Sequence, residues 1–492
     1  MEKIDNDLLK TRIKSLHSSD EDGDCVLYVM SRDQRAKDNH ALLAAQKHAM
    51  ARELPLAVVF CLYASGLGYR RREHYEFMID GMREVEKKLK KKNIPMLCVI
   101  GKPEDELSSL FHGMKPDAVY FDFSPLRGAK GLLKKLTDKV SNGPLQSKTS
   151  LCVVDTHNMI PVWVTSDKRE NAARTIRSKI QKHFEDYLSE PGDVEKHPHA
   201  WTAKAKTLSD QKTEIDKAIE NIDESGIEID FESGEDAAHK HLKTFVDNGL
   251  DDYAGDRNDP TQDGLSNMSP YLHYGQISSL RVALTMHHVA NGSGADLHLL
   301  TSSKMPKADN AKTKKMAGVN ALLEEMIVRK ELSDNYCYYE DEYDSVGGAD
   351  DWAKTTIEDH DDDEREHTYS LEELRDAKTH DEAWNASQRQ LTRTGKMHGY
   401  MRMYWAKKVK EWTNNAHTAV RFLIELNDTY HIDGGDPNGY VGIMWSVCGV
   451  HDRPWTEREV FGKVRYMNYD GLKRKFDVEQ YEKQWPEKTK SA

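Results

Sequence analysis

The chain has 492 residues, with 31% charged residues and a net charge of −13, long enough for two or three domains with a sizeable core. So acidic a balance excludes non-specific polyanion binding by the whole surface, although a local basic groove still acts within about one Debye length, roughly 8 Å at physiological salt. The six cysteines (Cys25, Cys61, Cys98, Cys152, Cys337 and Cys448) form no CxxC pair, which argues against a zinc site and for free thiols in a reducing compartment.

The first residues, MEKIDNDLLKTRIK, lack an apolar signal core, and no apolar run is long enough to span a membrane. The expectation is a soluble intracellular protein, cytoplasmic or, in a eukaryote, nuclear. Residues 1–24 are polar, end in SSDEDGD and read as a mobile tail. Short apolar runs follow at CVLYVM, LAVVFCL, PMLCVI, AVYFDF and LCVVD, with amphipathic stretches between them. Apolar strands alternating with helices imply a parallel sheet covered on both faces, so residues 25–160 are expected to form a doubly wound α/β domain. Ligands of such sheets lie beyond the strand carboxyl ends, where Ser31, Arg32, Asp33 and the segment Asp122 to Arg127 stand. No GxGxxG or P-loop pattern follows the first strand, which argues against a dinucleotide or nucleoside triphosphate site there.

Residues 161–250 read as a helical and irregular connector, polar from Glu190 to Asp230. After Asp251 the pattern is helical to about residue 485, with Ser269-Pro270 as a helix start where backbone amides favour an anion. Ala290 to Lys314 reads as a surface insertion, Leu322 to Tyr339 as a helix, and the acidic Asp341 to Glu366 as a solvent-facing loop without EF-hand spacing. From Lys396, the residues Met397, Met401, Tyr404, Trp405, Val409 and Trp412 recur at spacings of three, four or seven, one apolar helix face. Arg402, Lys407 and Lys410 occupy the other face. A core stripe explains the aromatics, but Met403 lies off it among basic residues, and a basic strip beside aromatics also suits nucleic acid. Asp433, Gly434, Gly435, Asp436 and Gly439 make a tight turn, which turn chemistry alone explains and which could equally place carboxylates against ribose hydroxyls or an adenine edge.

The runs WNASQ, GKMHGYMRMYWAKK, LND, DGGDPNGY, GVHDRPW, GKVRYM and KRKFD resemble class II cyclobutane pyrimidine dimer photolyases of the photolyase/cryptochrome family. MSRDQRAKDNHALL, DRNDPT, LSNMSPYLHYGQIS and EEMIVRKELSDNYCYY do so too, and the similarity covers Cys25 to Tyr481. The insertion at 290–314 is longer than the family pattern. The resemblance implies an N-terminal α/β domain and an all-α C-terminal domain holding flavin adenine dinucleotide (FAD). Its reduced, anionic form, excited by blue or near-UV light, would pass an electron to a pyrimidine dimer in UV-damaged DNA and split the cyclobutane ring.

By the same resemblance, Tyr253, Leu265, Ser266, Met268 and Ser269 would hold the flavin's phosphate and sugar parts. Asn427 would face its N5, Arg402 would pair with Asp433 beside the ring, and Asp436 would lie by the cofactor's bend. Glu325 would hydrogen-bond the extruded bases and Met403 would pack on the dimer. Arg257, Asn258, Trp445, Arg453 and Trp455 would line the DNA mouth, with Arg329 as a wall of the pocket. Photolyases are themselves a standing example of enzymes that act on bases taken out of the stack. Trp405 and Trp384 would carry electrons to the flavin, with Tyr369 as an outer donor. Trp412 shares the face of Trp405, about 10 Å along the helix, so geometry alone admits it as the relay. The family pattern favours Trp384, and Trp412 is read as core. A second, light-harvesting chromophore, a deazaflavin or a folate, is left open by the sequence. The expected partner is dimer-containing DNA, with no metal, no membrane and a monomeric protein. The alternatives are a cryptochrome-like photoreceptor, which usually carries a signalling extension where this chain ends soon after KRKFDVEQYEKQWPEK, and a six-four photoproduct photolyase, which needs a histidine pair at the lesion.

Overall fold

A computed structural model describes residues 6–64, 68–142, 149–292 and 313–487. Six strands form one sheet: β1 Ile13–His17, β2 Cys25–Val29, β3 Leu56–Leu62, β4 Met96–Ile100, β5 Pro116–Asp122 and β6 Ser150–Val154. Their order is β1-β6-β5-β2-β3-β4, parallel throughout except for β1. Successive side chains of β2 go to opposite faces. Val26 and Tyr28 join the core beneath the helices His40–Ala51 and Arg72–Lys91. Cys25, Leu27 and Val29 join the core beneath Pro103–Met114 and Arg127–Asn142. Burial on both faces is why these strands are apolar at every position rather than at every second one.

The segment 1–24 is not simply a tail. Residues 13–17 pair antiparallel with β6, and the buried Arg12 donates to the backbone carbonyls of Asp155, Asn158 and Met159. IKSLH is polar and short because it is an edge strand, whose outer side needs no apolar partner. Its place depends on β6, about 140 residues away, and no local pattern reports it.

The chain crosses over between β2 and β5, the switch point at which open α/β sheets take ligands. Here a side chain fills that point. Asp122 Oδ2 accepts the backbone N–H groups of Ser31, Arg32 and Asp33, while Oδ1 accepts the Tyr28 hydroxyl. Three amides that could cradle a phosphate are therefore already engaged. Burial, with Asp33 close by, pushes the Asp122 carboxyl up to about 6.

Among the described residues, no strand follows β6. The elements that matter for the site are the helices Ser269–His273, Lys314–Leu323 and Lys330–Tyr339, a π-helical turn Glu324–Arg329, then Glu382–Thr394, Gly399–Glu411, Ala416–Tyr430 and Pro437–Cys448. One apolar cluster runs from the sheet through the connector to Leu332, and a second holds the helices from Tyr336 to Tyr481. The acidic stretch after Asp341 is not all loop. Asp351–Asp359 is a helix that buries Ala353, Thr356 and Ile357. Residues 293–312, most of the insertion, lie outside the described residues.

Candidate functional site

The helices Glu382–Thr394 and Gly399–Glu411 form a hairpin that turns at Gly395, whose positive φ of 70° suits a residue without Cβ. Trp405 and Trp384 face each other across it. Their rings are nearly parallel, 9° apart in plane and 6.4 Å apart at the centroids. Trp405 Nε1 donates to Gln388 Oε1 at 2.8 Å, and Trp384 Nε1 donates to the carbonyl of Trp405 at 3.0 Å. Both rings are buried and locked by neutral partners.

Trp412 is buried in the core, as expected, and its ring also lies 5.7 Å from Trp384 and 5.4 Å from Tyr369. It touches both the inner tryptophan and the outer tyrosine, a link that spacing along its own helix could not show. The basic face needs a correction. Lys407, Lys408 and Lys410 are buried, at 0%, 9% and 4% exposure, so they form no strip for a polyanion. Lys407 Nζ donates to the carbonyl of Ser446 at 2.8 Å, at the end of the helix Pro437–Cys448, and sits 4.3 Å over the Trp445 ring. Burial drives the Lys407 amine well below its usual range and the Lys410 amine down to about 8.

On the neighbouring turn of the Trp405 helix, Arg402 meets a polar cluster. Its Nη2 lies 2.8 Å from His431 Nδ1 and 3.4 Å from Asp433 Oδ1. Burial opposes charge on Asp433, but Arg402, His431 and Lys396 hold its carboxyl far below the usual range. Lys396 Nζ donates to Ser269 Oγ at 2.9 Å, and burial lowers its amine to about 8. The helix beginning at Ser269 is a single turn, so any anion there relies on side chains more than on a helix dipole. Asp436 caps Pro437–Cys448 and contacts His273 Nδ1 at 3.2 Å. Asn427 is buried and donates to Asp428 Oδ1 at 2.8 Å. A Cβ at Gly439 would sit 3.0 Å from the Asn427 amide nitrogen, so glycine there lets the helix Pro437–Cys448 approach that amide closely. Arg402 Nε and His431 Nε2 are buried with no partner in the protein. Unpaired donors of this kind are costly unless a ligand completes them, which fits a polar, anionic cofactor ring beside Arg402.

Arg257 and Glu325, 68 residues apart, meet as an ion pair of 2.6 Å. Glu325 stands in the π-helical turn, a form of helix that recurs at functional sites. Tyr253 lies beneath the Arg257 guanidinium at 6.0 Å, and burial with the nearby Glu325 raises its phenol to about 12. Ser266 and Met268 are buried, Leu265 and Met403 half-buried, and Asn258 exposed. The Arg329 guanidinium is exposed and pairs with Glu324, which also holds Arg177.

Trp445 and Trp455 lie on a cationic patch. Arg453 and Arg465 sit 5.5 Å and 4.8 Å over Trp455, and Arg465 also lies 6.0 Å from Trp445. Among the described residues the exposed large apolar side chains are Met50, Trp455 and Tyr466, two of them in this patch. Arg458 covers Tyr466 at 3.2 Å. The sequence reading missed Arg458, Arg465 and Tyr466. For Arg465 and Tyr466 the available signal was GKVRYM, which sets two basic residues beside a tyrosine.

The model of the DNA photolyase family matches residues 26–199. The chain is 42% identical to a deoxyribodipyrimidine photo-lyase of Potorous tridactylus, over 93% of this chain and 80% of that one. It is 42% identical to a protein of the same name from Arabidopsis thaliana, over 93% of this chain and 88% of that one. Among solved structures it resembles an archaeal photolyase from Sulfolobus tokodaii described with two FAD molecules. The TM-score is 0.66 at 17% identity, covering 95% of this chain and 91% of that one, a likeness of fold.

Proposed function

The chain belongs to the DNA photolyase family, and from that premise we propose that it repairs cyclobutane pyrimidine dimers in UV-damaged DNA by light-driven electron transfer. It is an enzyme of the deoxyribodipyrimidine photo-lyase kind, and the runs that resemble class II photolyases, such as WNASQ and DGGDPNGY, support that branch. The observation that carries the mechanism is the unpartnered Arg402 Nε, next to the Arg402–Asp433 pair and one helical turn from the Trp405–Trp384 stack.

FAD is the cofactor of this reading and supplies a light-driven electron. Arg402 and Asp433 flank its ring. The guanidinium favours an anionic ring through Coulomb attraction, while Asp433 keeps Arg402 oriented. Asn427, held by Asp428, presents an amide that can donate or accept at the flavin N5. Lys396 and Ser269, with Tyr253, Leu265, Ser266, Met268 and Asp436, hold the phosphate and sugar parts. Lys396, absent from the family-derived set, is added because it bonds Ser269.

Glu325, oriented by Arg257, hydrogen-bonds the extruded pyrimidines, and Met403 packs on them. Arg257 serves twice, as it neutralises Glu325 until DNA phosphate competes for it, with Asn258 beside it at the surface. Trp445, Trp455 and Arg453 occupy the gap in the duplex. Stacking on their rings replaces the base stacking lost, worth about 1–3 kcal/mol per base. Electrons that reduce the cofactor travel from Tyr369 through Trp412, Trp384 and Trp405. The protein acts as a monomer on this reading. No helix among the described residues is long and apolar enough to cross a membrane.

The test is illumination of a dimer-containing oligonucleotide with the reduced, full-length protein, scored by chromatography against a dark control. Restored pyrimidines in the lit sample alone are expected. A protein that binds flavin and photoreduces but leaves the dimer intact would be a photoreceptor instead. Absorption of the purified protein beyond the flavin bands would report an antenna deazaflavin or folate.

A further inference from the structure

At the outer end of the aromatic row, Tyr369 does not simply meet solvent. Its hydroxyl lies 2.7 Å from His380 Nδ1, and its oxygen also accepts the backbone N–H of His380 at 3.0 Å. With the oxygen already accepting a hydrogen bond, the phenol proton is aimed at the imidazole nitrogen. The His380 ring packs edge-on against Trp412 at 5.1 Å and lies 3.9 Å from the His367 ring, centroid to centroid. His380 is exposed, so a proton it receives reaches water.

From this geometry we propose that His380 is the proton acceptor that lets Tyr369 serve as the terminal electron donor of the row. A neutral tyrosine is a poor donor to an oxidised tryptophan unless its proton leaves with the electron. Resting on the relay of the previous section, the step is written on this chain's residues. One electron passes from the Tyr369 phenol to the oxidised Trp412 radical cation, whose own electron has gone inward by way of Trp384 and Trp405 to a light-excited flavin. The phenolic O–H bond breaks and its proton goes to Nδ1 of neutral His380. The products are neutral Trp412, a neutral Tyr369 radical and a protonated His380. The positive charge moves from a buried ring to an exposed one, which slows its return.

The step requires the imidazole to be neutral beforehand. Burial, and then the neighbouring His367, lower the His380 pKa below the ordinary histidine value. Asp381 and Glu411 pull it up and Lys408 pulls it down. His367 lies 3.8 Å from Glu366, and Tyr369 is the only hydrogen-bonding side chain the structure gives the His380 ring among the described residues. Acidification should therefore protonate His380 and disable the donor.

Two measurements on the full-length protein decide this. In time-resolved absorption of the flavin-loaded protein, wild type is expected to form a neutral tyrosyl radical more slowly in heavy water than in light water. His380→Phe, and His380→Gln in case the first variant folds poorly, should form it at least about tenfold more slowly, leaving the signal on tryptophan. Acid pH should do the same to wild type. Tyrosyl formation at an unchanged rate in the variants, or its absence from wild type, overturns the proposal. The control is Trp405→Phe: if that variant still photoreduces, the relay itself is wrong, whereas a blocked Trp405→Phe beside an unaffected His380→Phe condemns only the role of His380. The second measurement needs no light or turnover. A histidine NMR titration should show the His380 pKa rising in Tyr369→Phe, because the phenol hydrogen bond favours the neutral ring. A fall or no change means that the hydrogen bond runs the other way, and the proposal fails.

Discussion

The molecule uses tryptophan in two settings. Trp405, Trp384 and Trp412 are buried in the helical core, pack on one another, and the indole N–H groups of the first two meet a neutral amide and a carbonyl. Trp455 is exposed under the guanidiniums of Arg453 and Arg465, and Trp445 is half-buried beneath Arg465 and Lys407. A positive hole on a ring beneath a cation is opposed by Coulomb repulsion, and neutral hydrogen-bond partners avoid that penalty. On the proposed function the same side chain would carry electrons in one place and stack on bases in the other, and its neighbours make the difference. Trp412 stands between the two settings, since Lys408 lies 5.6 Å over its ring while paired with Glu411 at 2.8 Å.

The comparison breaks most sharply at Trp405. Trp405→Phe should abolish photoreduction of the bound flavin, followed as bleaching under blue light, yet spare repair by chemically reduced enzyme. Trp412→Phe should slow photoreduction about tenfold and cost about 1–3 kcal/mol of stability for the smaller ring. Were it to destabilise without slowing photoreduction, Trp412 would belong to the core alone.

At the DNA side, Glu325→Ala should lower the repair yield about tenfold while flavin absorption is kept, since a hydrogen bond to a charged group contributes about 1.5–3 kcal/mol. Unchanged dimer splitting would remove Glu325 from the site. Trp455→Ala should weaken binding to dimer-containing DNA by about 1–3 kcal/mol and leave photoreduction as it is, as seen in paired titrations and bleaching curves. An effect on photoreduction would erase the distinction between the two sets of rings.

The last effect concerns the buried Lys407 amine over Trp445. The Lys407 amine is lowered in the fold relative to the unfolded chain, so the unfolded state binds the extra proton and stability rises with pH up to the ordinary lysine value near 10.5. Thermal unfolding of Lys407→Met should lack that rise, a difference of at most about 1.4 kcal/mol per pH unit. Parallel curves would mean that Lys407 stays charged over Trp445.

Parts of this could be read without coordinates. The strands at Cys25, Leu56, Met96, Pro116 and Ser150 announce themselves as unbroken apolar runs. The Arg402–Asp433 pair followed from family resemblance, and the structure brings its members within 3.4 Å. Lys407 and Lys410 were misjudged because a charged residue opposite an apolar stripe normally faces water, and here the helix is covered on that side as well. β1 was missed because five residues with only two apolar members, Ile13 and Leu16, show no strand period.

On its own, the order of residues determined the α/β-then-helical plan and the kinship, because periodicity and long shared runs are properties of the chain itself. Tertiary structure alone decided that Trp412 touches both Trp384 and Tyr369, that Arg257 meets Glu325, that Asp122 closes the sheet's ligand crevice, and that His380 waits on the phenol. A helical period says which face is apolar. It does not say which other face will cover it, and each of these contacts is set by that second surface.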